Sequence, residues 1–400
     1  MNPFEDPFES PESPGSGPTS ERKPTSRHKP ETAAFERREA GMFQRQDLVA
    51  AREIPGFKGF EVALTLQKKH DGHHLNEDNI LADPRTGLLG VFDGVGGSAK
   101  PALASRTAEQ AVIANYERLD HEANAMGDLQ LLALLRSEME QRARDRSYRR
   151  NEPRENLEQR LRQTEALVGK ISADPNLVKT AWTLIEALRR SHATVQKTNG
   201  STTACIGKLH ASPDGRRWAI VTNVGDSGAF IRHADGRMEQ ITEEDSMVKR
   251  LIESGALSLE SLFKMKQQPD KRFPIPFSDD GIHTSMHAMS YYELSPHMTA
   301  SIGGIQPLPS LAVREVLPGE ELLFCTDGVI DKFEKMVDAT TDRKTFTDEQ
   351  TDFAELSFAL DDGSTLAERL DNLRVAATFR AAYKITDDIA IVAARVEEKE

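Results

Sequence analysis

The apolar positions of this 400-residue chain follow two periods, and the switch between them organises the whole sequence. Short runs of β character occur at Phe60–Leu66, Ile80–Ala82, Leu88–Phe92, Ser201–Leu209, Trp218–Val224, Gly228–Arg232, Glu321–Cys325 and Ile389–Ala394. They are three to nine residues long and rich in β-branched and large apolar side chains, which predicts strands. Asp214-Gly215 and Asp235-Gly236 fall where hairpin turns are needed. Helical spacing runs from Pro101 to Tyr116, where Ala104, Ala108, Ala111 and Val112 share a side suited to close packing on a sheet. It returns behind a cap at Asp128, with Leu131, Leu132, Leu135 and Met139 on one face. Leu157, Leu161, Val168 and Ile171 mark another segment, and Asp174-Pro175 opens a fourth with Leu177, Ala181, Leu184 and Leu188 at core spacing. A helix is predicted around Ser246 to Ser254, then an irregular stretch to about 300, and helical segments through much of 329–384. Strands in separate blocks with helices outside each block point to an α+β layered sandwich.

Four of the strands begin or end at carboxylates. Glu77 and Asp78 precede Ile80, Asp93 follows Phe92, Asp327 with Asp331 follows Cys325, and Asp387 with Asp388 precedes Ile389. Asp93 is followed by Gly94, Gly96 and Gly97 within four residues, a turn that brings bare backbone close to something. Any one of these is an ordinary Asp turn. Brought together they would repel one another and raise each other's pKa values, so a tight cluster needs cations to stay ionised. Oxygen ligands without His or Cys favour Mg²⁺ or Mn²⁺ over Zn²⁺. No contiguous loop has the alternating ligand spacing of a calcium module.

Composition narrows the partners. Lys and Arg total 51 against 64 Asp and Glu, a formal charge of −13, which argues against nucleic acid. A phosphorylated substrate stays open, because bound divalent cations invert the local field. Cys205 and Cys325 both sit in apolar runs and read as core residues. No apolar run approaches membrane-spanning length and the first residues lack a hydrophobic signal core, so the expectation is a cytoplasmic protein without a membrane partner. Residues 1–40 contain no Val, Ile or Leu and are expected to be a disordered tail. Their two Pro-Phe-Glu units are either a docking motif or stray aromatics in a solvated segment. The domain proper is expected over 41–398, with a charged helical insertion at about 120–172. Within it, Arg142 to Arg150 is a basic run, either a phosphoprotein contact or a solvated helix face.

Six motifs in order carry a family resemblance: Asn76-Glu77-Asp78, Val91-Phe92-Asp93-Gly94-Val95-Gly96-Gly97, Gly200-Ser201-Thr202-Thr203, Asn223-Val224-Gly225-Asp226-Ser227, Thr326-Asp327-Gly328 and Asp387-Asp388-Ile389. With them the chain resembles the PPM (PP2C-type) metal-dependent Ser/Thr protein phosphatases over about 60–118 and 175–396. The resemblance implies a four-layer αββα sandwich with two central, mainly antiparallel sheets and two Mn²⁺ or Mg²⁺ ions at one end. Asp93 would bridge both ions, with the carbonyl of Gly94 on one of them. Asp327 and Asp387 would bind the second ion, while Glu77 and Asp78 would hold metal-bound waters. Asp226 and Asp331 match positions that help bind a third, weaker metal in some members; for Asp226 a turn that merely shapes the core weighs equally. The implied reaction is hydrolysis of phosphoserine and phosphothreonine in proteins by a water shared between two metals.

Two positions depart from the family pattern. Val95 stands where many members have a His proposed to protonate the leaving oxygen, and His73 stands where many have a phosphate-binding Arg. These changes support a rival reading, a catalytically weak relative that binds phosphoproteins or a partner. His73 and His74 are the candidates to supply the missing chemistry, since imidazole titrates near neutrality, or they are loop histidines without a role. Under the first reading His73→Ala weakens substrate binding and shifts the acid limb of the pH–rate profile. Unchanged kinetics across pH would reject that role.

Overall fold

The computed structural model describes residues 48–69, 75–149, 154–278, 284–294, 298–304, 307–333, 353–361, 363–380 and 387–397. The tail expected over residues 1–40 lies outside them, as do His73 and His74. In chain order, β1 (Leu48–Glu53), β2 (Phe60–Gln67), β3 (Asn79–Asp83) and β4 (Leu88–Phe92) come first. Four helices follow: α1 (Pro101–Asn124), α2 (Asp128–Arg149), α3 (Arg154–Ile171) and α4 (Pro175–Gln196). Next are β5 (Ala204–Ala211), β6 (Arg217–Val224), β7 (Gly228–Arg232) and β8 (Met238–Gln240). A small group comprises α5 (Met247–Ser254), α6 (Leu259–Gln267), β9 (Phe273–Ser278), β10 (Thr284–Met289) and α7 (Tyr291–Leu294). The chain ends through β11 (Ser310–Glu315), β12 (Glu321–Cys325), α8 (Asp327–Ile330), α9 (Phe353–Phe358), α10 (Leu366–Arg380) and β13 (Ile389–Val396).

Two antiparallel sheets form the centre, in the orders β1-β2-β13-β12-β7-β8 and β11-β6-β5-β4-β3. The strand period of two decides which face each residue takes. In β13, Ala390, Val392 and Ala394 point between the sheets, and Ile389, Ile391 and Ala393 point to the outside. In β4, Leu89 and Val91 face the other sheet while Leu88 and Phe92 face helices. The outer face of the five-stranded sheet is covered by α1 and α4, through Ala104, Ala108, Val112, Ala181, Leu184 and Leu188. The outer face of the six-stranded sheet is covered by α9 and α10, through Leu356, Leu366, Leu370 and Leu373. The αββα layering expected from the resemblance is therefore present.

Local signals explain most boundaries. Asp174 caps α4 by accepting the Asn176 amide at 2.9 Å, with Pro175 at the first position. Gly215 and Gly236 take positive φ at the β5–β6 and β7–β8 turns, as the Asp-Gly pairs require. The stretch read as irregular holds the β9–β10 hairpin and α6, with a core of their own that includes Leu251, Leu262, Met265 and Ile275. Pro274 and Pro276 hid β9, because proline argues against a strand except at an edge, and this two-stranded ribbon is all edge.

On α1, Glu109 accepts a hydrogen bond from Asn79 Nδ2 at 2.6 Å. Burial is the main cause that pushes its carboxyl up to about 7. A raised folded-state pKa gives stability that is complete below the unfolded value and is lost as pH rises through about 7. Glu109→Gln escapes that loss. Its unfolding free energy relative to wild type should rise by about 1–2 kcal/mol between pH 5.5 and 8.5 in denaturant titrations. A difference that stays flat over this range removes Glu109 from the pH dependence.

Candidate metal centre

Antiparallel pairing places five strand ends at one edge of the sandwich. β4 ends into Asp93, β12 into Asp327, and the β6–β7 turn carries Asp226. β13 begins after Asp387 and Asp388, and β3 begins after Glu77 and Asp78. One carboxylate oxygen from each of Asp93, Asp226 and Asp327 lies within 4.8 Å of the others. Asp387 stands close enough to act electrostatically on Asp93, Asp327 and Asp78. Residues separated by up to 309 positions, Asp78 to Asp387, thus come into electrostatic reach of one another.

Each acid is held from behind. The Asp93 carbonyl accepts from the Thr203 amide at 2.7 Å and from Thr202 Oγ1 at 2.6 Å, and the Asp93 amide donates to Thr203 Oγ1 at 3.2 Å. Asp78 is 5% exposed and accepts from Thr326 Oγ1 at 2.7 Å. Asp388 accepts the amides of Lys69 and Glu77 at 2.7 and 2.6 Å, tying the β2–β3 connection to β13, and its charge also weighs on Asp78. Glu77 itself pairs with Lys69 Nζ at 2.8 Å, at the rim. Gly94 donates to the Glu77 carbonyl at 3.1 Å. A side chain at Gly94 would sit 2.6 Å from the Pro101 backbone, so only glycine permits this approach. Asp331 lies in the turn after α8 and acts on Asp226 and Asp327.

The electrostatics follow from this packing. Asp78, Asp93, Asp226 and Asp327 are all pushed well above the usual carboxylate range, first by desolvation and then by neighbouring carboxylates, Asp388 on Asp78 and Glu244 on Asp226 among them. Asp387 and Asp388 are raised for the same first reason. At Asp93 a side-chain hydrogen bond with Asp327 works the other way, as when two carboxyls share a proton. Asp226 Oδ1 and Asp327 Oδ1 are buried without a hydrogen-bond partner. Orphaned buried oxygens in an all-oxygen donor set fit a hard divalent cation.

Of the candidates read from the sequence, the structure brings Asp93, Asp226 and Asp327 together, with Asp78, Asp387 and Asp331 in electrostatic reach and Glu77 and Gly94 beside them. Sequence reading did not single out Lys69, whose ammonium is the nearest partner of Glu77. Nor did it mark Glu244, the carboxylate that acts most strongly on Asp226. A lysine eight residues before an acid has no motif spacing, and Glu244 lies in a run that reads as solvated surface.

No family model matches the chain. A curated relative, the serine/threonine protein phosphatase PstP of Mycobacterium tuberculosis, is 25% identical over 256 residues. The match covers 64% of this chain and 34% of the relative, so the chain spans about a third of that protein's length. Among solved structures, PppA, a regulatory component of T6SS in Pseudomonas aeruginosa, is 16% identical with a TM-score of 0.45, covering 85% of this chain and 98% of that one. The PstP catalytic domain in complex with two manganese ions is 19% identical with a TM-score of 0.41, covering 85% and 99%.

If the cluster is built for cations, metal-free protein carries its repulsion. The raised pKa of Asp327 makes stability complete at acid pH and progressively lost as pH rises. Asp327→Asn should therefore raise the melting temperature in EDTA at pH 7.5 by at least about 2–4 °C, the response of a large domain to about 1 kcal/mol. Its advantage should shrink toward pH 5, and Mn²⁺ should stabilise it less than wild type. A variant less stable than wild type in EDTA would show that Asp327 is an internally satisfied structural group. The acids of the motifs that carry the resemblance to the PPM (PP2C-type) phosphatases converge at one sheet edge, in a chain 25% identical to PstP over 256 residues.

Proposed function

We propose that the chain is a metal-dependent phosphatase that hydrolyses phosphoserine and phosphothreonine in proteins. The observation that carries this reading is the convergence of Asp93, Asp226 and Asp327 within 4.8 Å, two of them with orphaned oxygens. Two Mn²⁺ or Mg²⁺ ions would be held by Asp93, the Gly94 carbonyl, Asp327 and Asp387, with a third weaker ion at Asp226 and Asp331. Bound there, such a pair supplies charge stabilisation to phosphoryl oxygens and an acidified water positioned in line with phosphorus. The domain is read as 41–398, with the helices of about 120–172 inserted in it.

The chain's own residues do the rest. Thr202 and Thr203 fix the Asp93 backbone, so its carboxylate is aimed before anything binds. Thr326 orients Asp78, and Asp388 holds the segment that presents Glu77. Glu77 and Asp78 would accept hydrogen bonds from metal-bound waters and so orient them without a protein nucleophile. Lys69 pairs with Glu77 at the rim and adds positive charge beside an anionic substrate. Val95, whose amide is tied to the Ser201 carbonyl at 3.0 Å, offers no proton, so leaving-group protonation falls to solvent or to His73 and His74.

The test is a Mn²⁺ titration with a phosphothreonine peptide and an aryl phosphate. Turnover should appear only with metal, and Asp93→Asn should bring it to background while leaving the fold intact by circular dichroism. The regulatory alternative predicts phosphopeptide binding with no metal-dependent turnover, and an Asp93→Asn variant indistinguishable from wild type.

A further inference from the structure

The helical pair α2–α3 takes no part in the chemistry above, yet one of its side chains reaches the rim of the acidic centre. Arg160 on α3 donates through Nη1 to both oxygens of Glu243, at 3.0 and 3.2 Å. Glu243 opens the run Glu243-Glu244-Asp245, and this run grips the turn that carries Asp226. Asn223 Nδ2 donates to the Glu243 carbonyl at 3.1 Å and to the Gly225 carbonyl at 3.2 Å. The Gly225 amide donates to Asp245 Oδ2 at 3.2 Å, and the Asp245 amide donates back to the Gly225 carbonyl at 2.9 Å. Asp245 is in turn anchored by Thr299, whose amide and hydroxyl both donate to its carbonyl.

The turn has little slack on its other side. Gly225 sits at φ +99°, and a side chain there would lie 2.6 Å from the Thr203 side chain. Thr203 is the residue that holds Asp93. Displacing the Glu243–Asp245 run therefore moves Asp226 relative to Asp93. It also moves Glu244, the carboxylate that weighs most on Asp226.

From this chain of contacts we infer that Arg160 is a positioning residue. Its guanidinium, supplied by the helical pair, fixes the Glu243–Asp245 run and so sets where Asp226 presents its orphaned oxygen to a divalent cation. The inference rests on the metal-centre reading above. Arginine suits the task because a planar, permanently charged fork locks a carboxylate in orientation, whereas an ammonium acts as a point charge. The pair is partly exposed, with Arg160 at 21% and Glu243 at 31%, so it adds little to global stability. A purely structural role and a positioning role are separable for that reason.

The experiment compares full-length wild type, Arg160→Ala, Arg160→Lys and the charge swap Arg160→Glu with Glu243→Arg. Two quantities are read: the Mn²⁺ concentration giving half of the metal-induced rise in melting temperature, and the kcat and KM for Mn²⁺ with an aryl phosphate. Arg160→Ala should raise the half-point and the KM for Mn²⁺ by up to about tenfold, as for outer residues that orient ligands. Its kcat at saturating Mn²⁺ and its melting temperature in EDTA should stay near wild type. Arg160→Lys should fall between, and the swap should return the half-point to within about twofold of wild type. An unchanged half-point in Arg160→Ala, or a swap no better than Arg160→Ala, overturns the inference. A wild type with no Mn²⁺-induced shift at all would instead remove the metal-centre reading, and the clamp with it.

Discussion

Mutual repulsion among buried carboxylates is the constraint that the rest of the molecule answers to. Two unit charges about 4 Å apart repel by roughly 4 kcal/mol at the effective dielectric of a protein surface. Three oxygens within 4.8 Å of one another make three such pairs, with Asp78 and Asp387 adding more. A neutral hydrogen bond returns a net of about 1 kcal/mol. The threonine contacts behind Asp93 and Asp78 therefore aim these groups but do not offset their charge. Only protonation or an external cation does that, and the upward shift of all four buried acids is the first of those two responses.

Sheet order is what makes the convergence unavoidable. β12 lies between β13 and β7, all antiparallel, so the end of β12, the start of β13 and the start of β7 share one edge. Asp327 is thereby flanked by Asp387 and Asp226. The facing sheet ends β4 at the same edge and contributes Asp93. Large buried residues between the layers, such as Phe324, Leu322, Val392 and Val221, keep the two sheets in fixed relation. Gly328 shows how tight the approach is, since a side chain there would overlap the Asp388 carbonyl.

Much of this was legible in the residue pattern, and the gaps have physical causes. The runs Leu88 to Phe92 and Leu322 to Cys325 are free of polar side chains because both faces are covered, which makes them conspicuous. β11 was passed over because Ser310–Glu315 is an edge strand with polar ends, stabilised by pairing with β6 rather than by its own composition. Adjacent Asp387 and Asp388 are indistinguishable as letters, yet strand alternation sends one toward the cluster and the other to two backbone amides. The Arg160 contact carries no sequence signal, because it lies in a helix of mixed charges and its partner is 83 residues away.

The opposite ends of the same strands supply the sharpest comparison. There a cavity of about 940 Å³ is lined by Arg232, Arg369 and Arg395 together with Glu61 and Asp361. Glu321, fully buried at that end of β12, accepts from Arg369 Nη1 at 2.6 Å and Arg395 Nε at 3.1 Å, with Arg232 at 3.7 Å. Glu61 pairs with Arg395, and Asp361 with Arg232. The buried acid at that end, Glu321, is neutralised by guanidiniums from within the chain. At the other end, among the described residues, the cations that act on Asp387 are Lys69 and Lys332, with Lys69 committed to Glu77. A fold that compensates carboxylates at one end of β7, β12 and β13, and leaves them under-compensated at the other, is built to receive positive charge from outside.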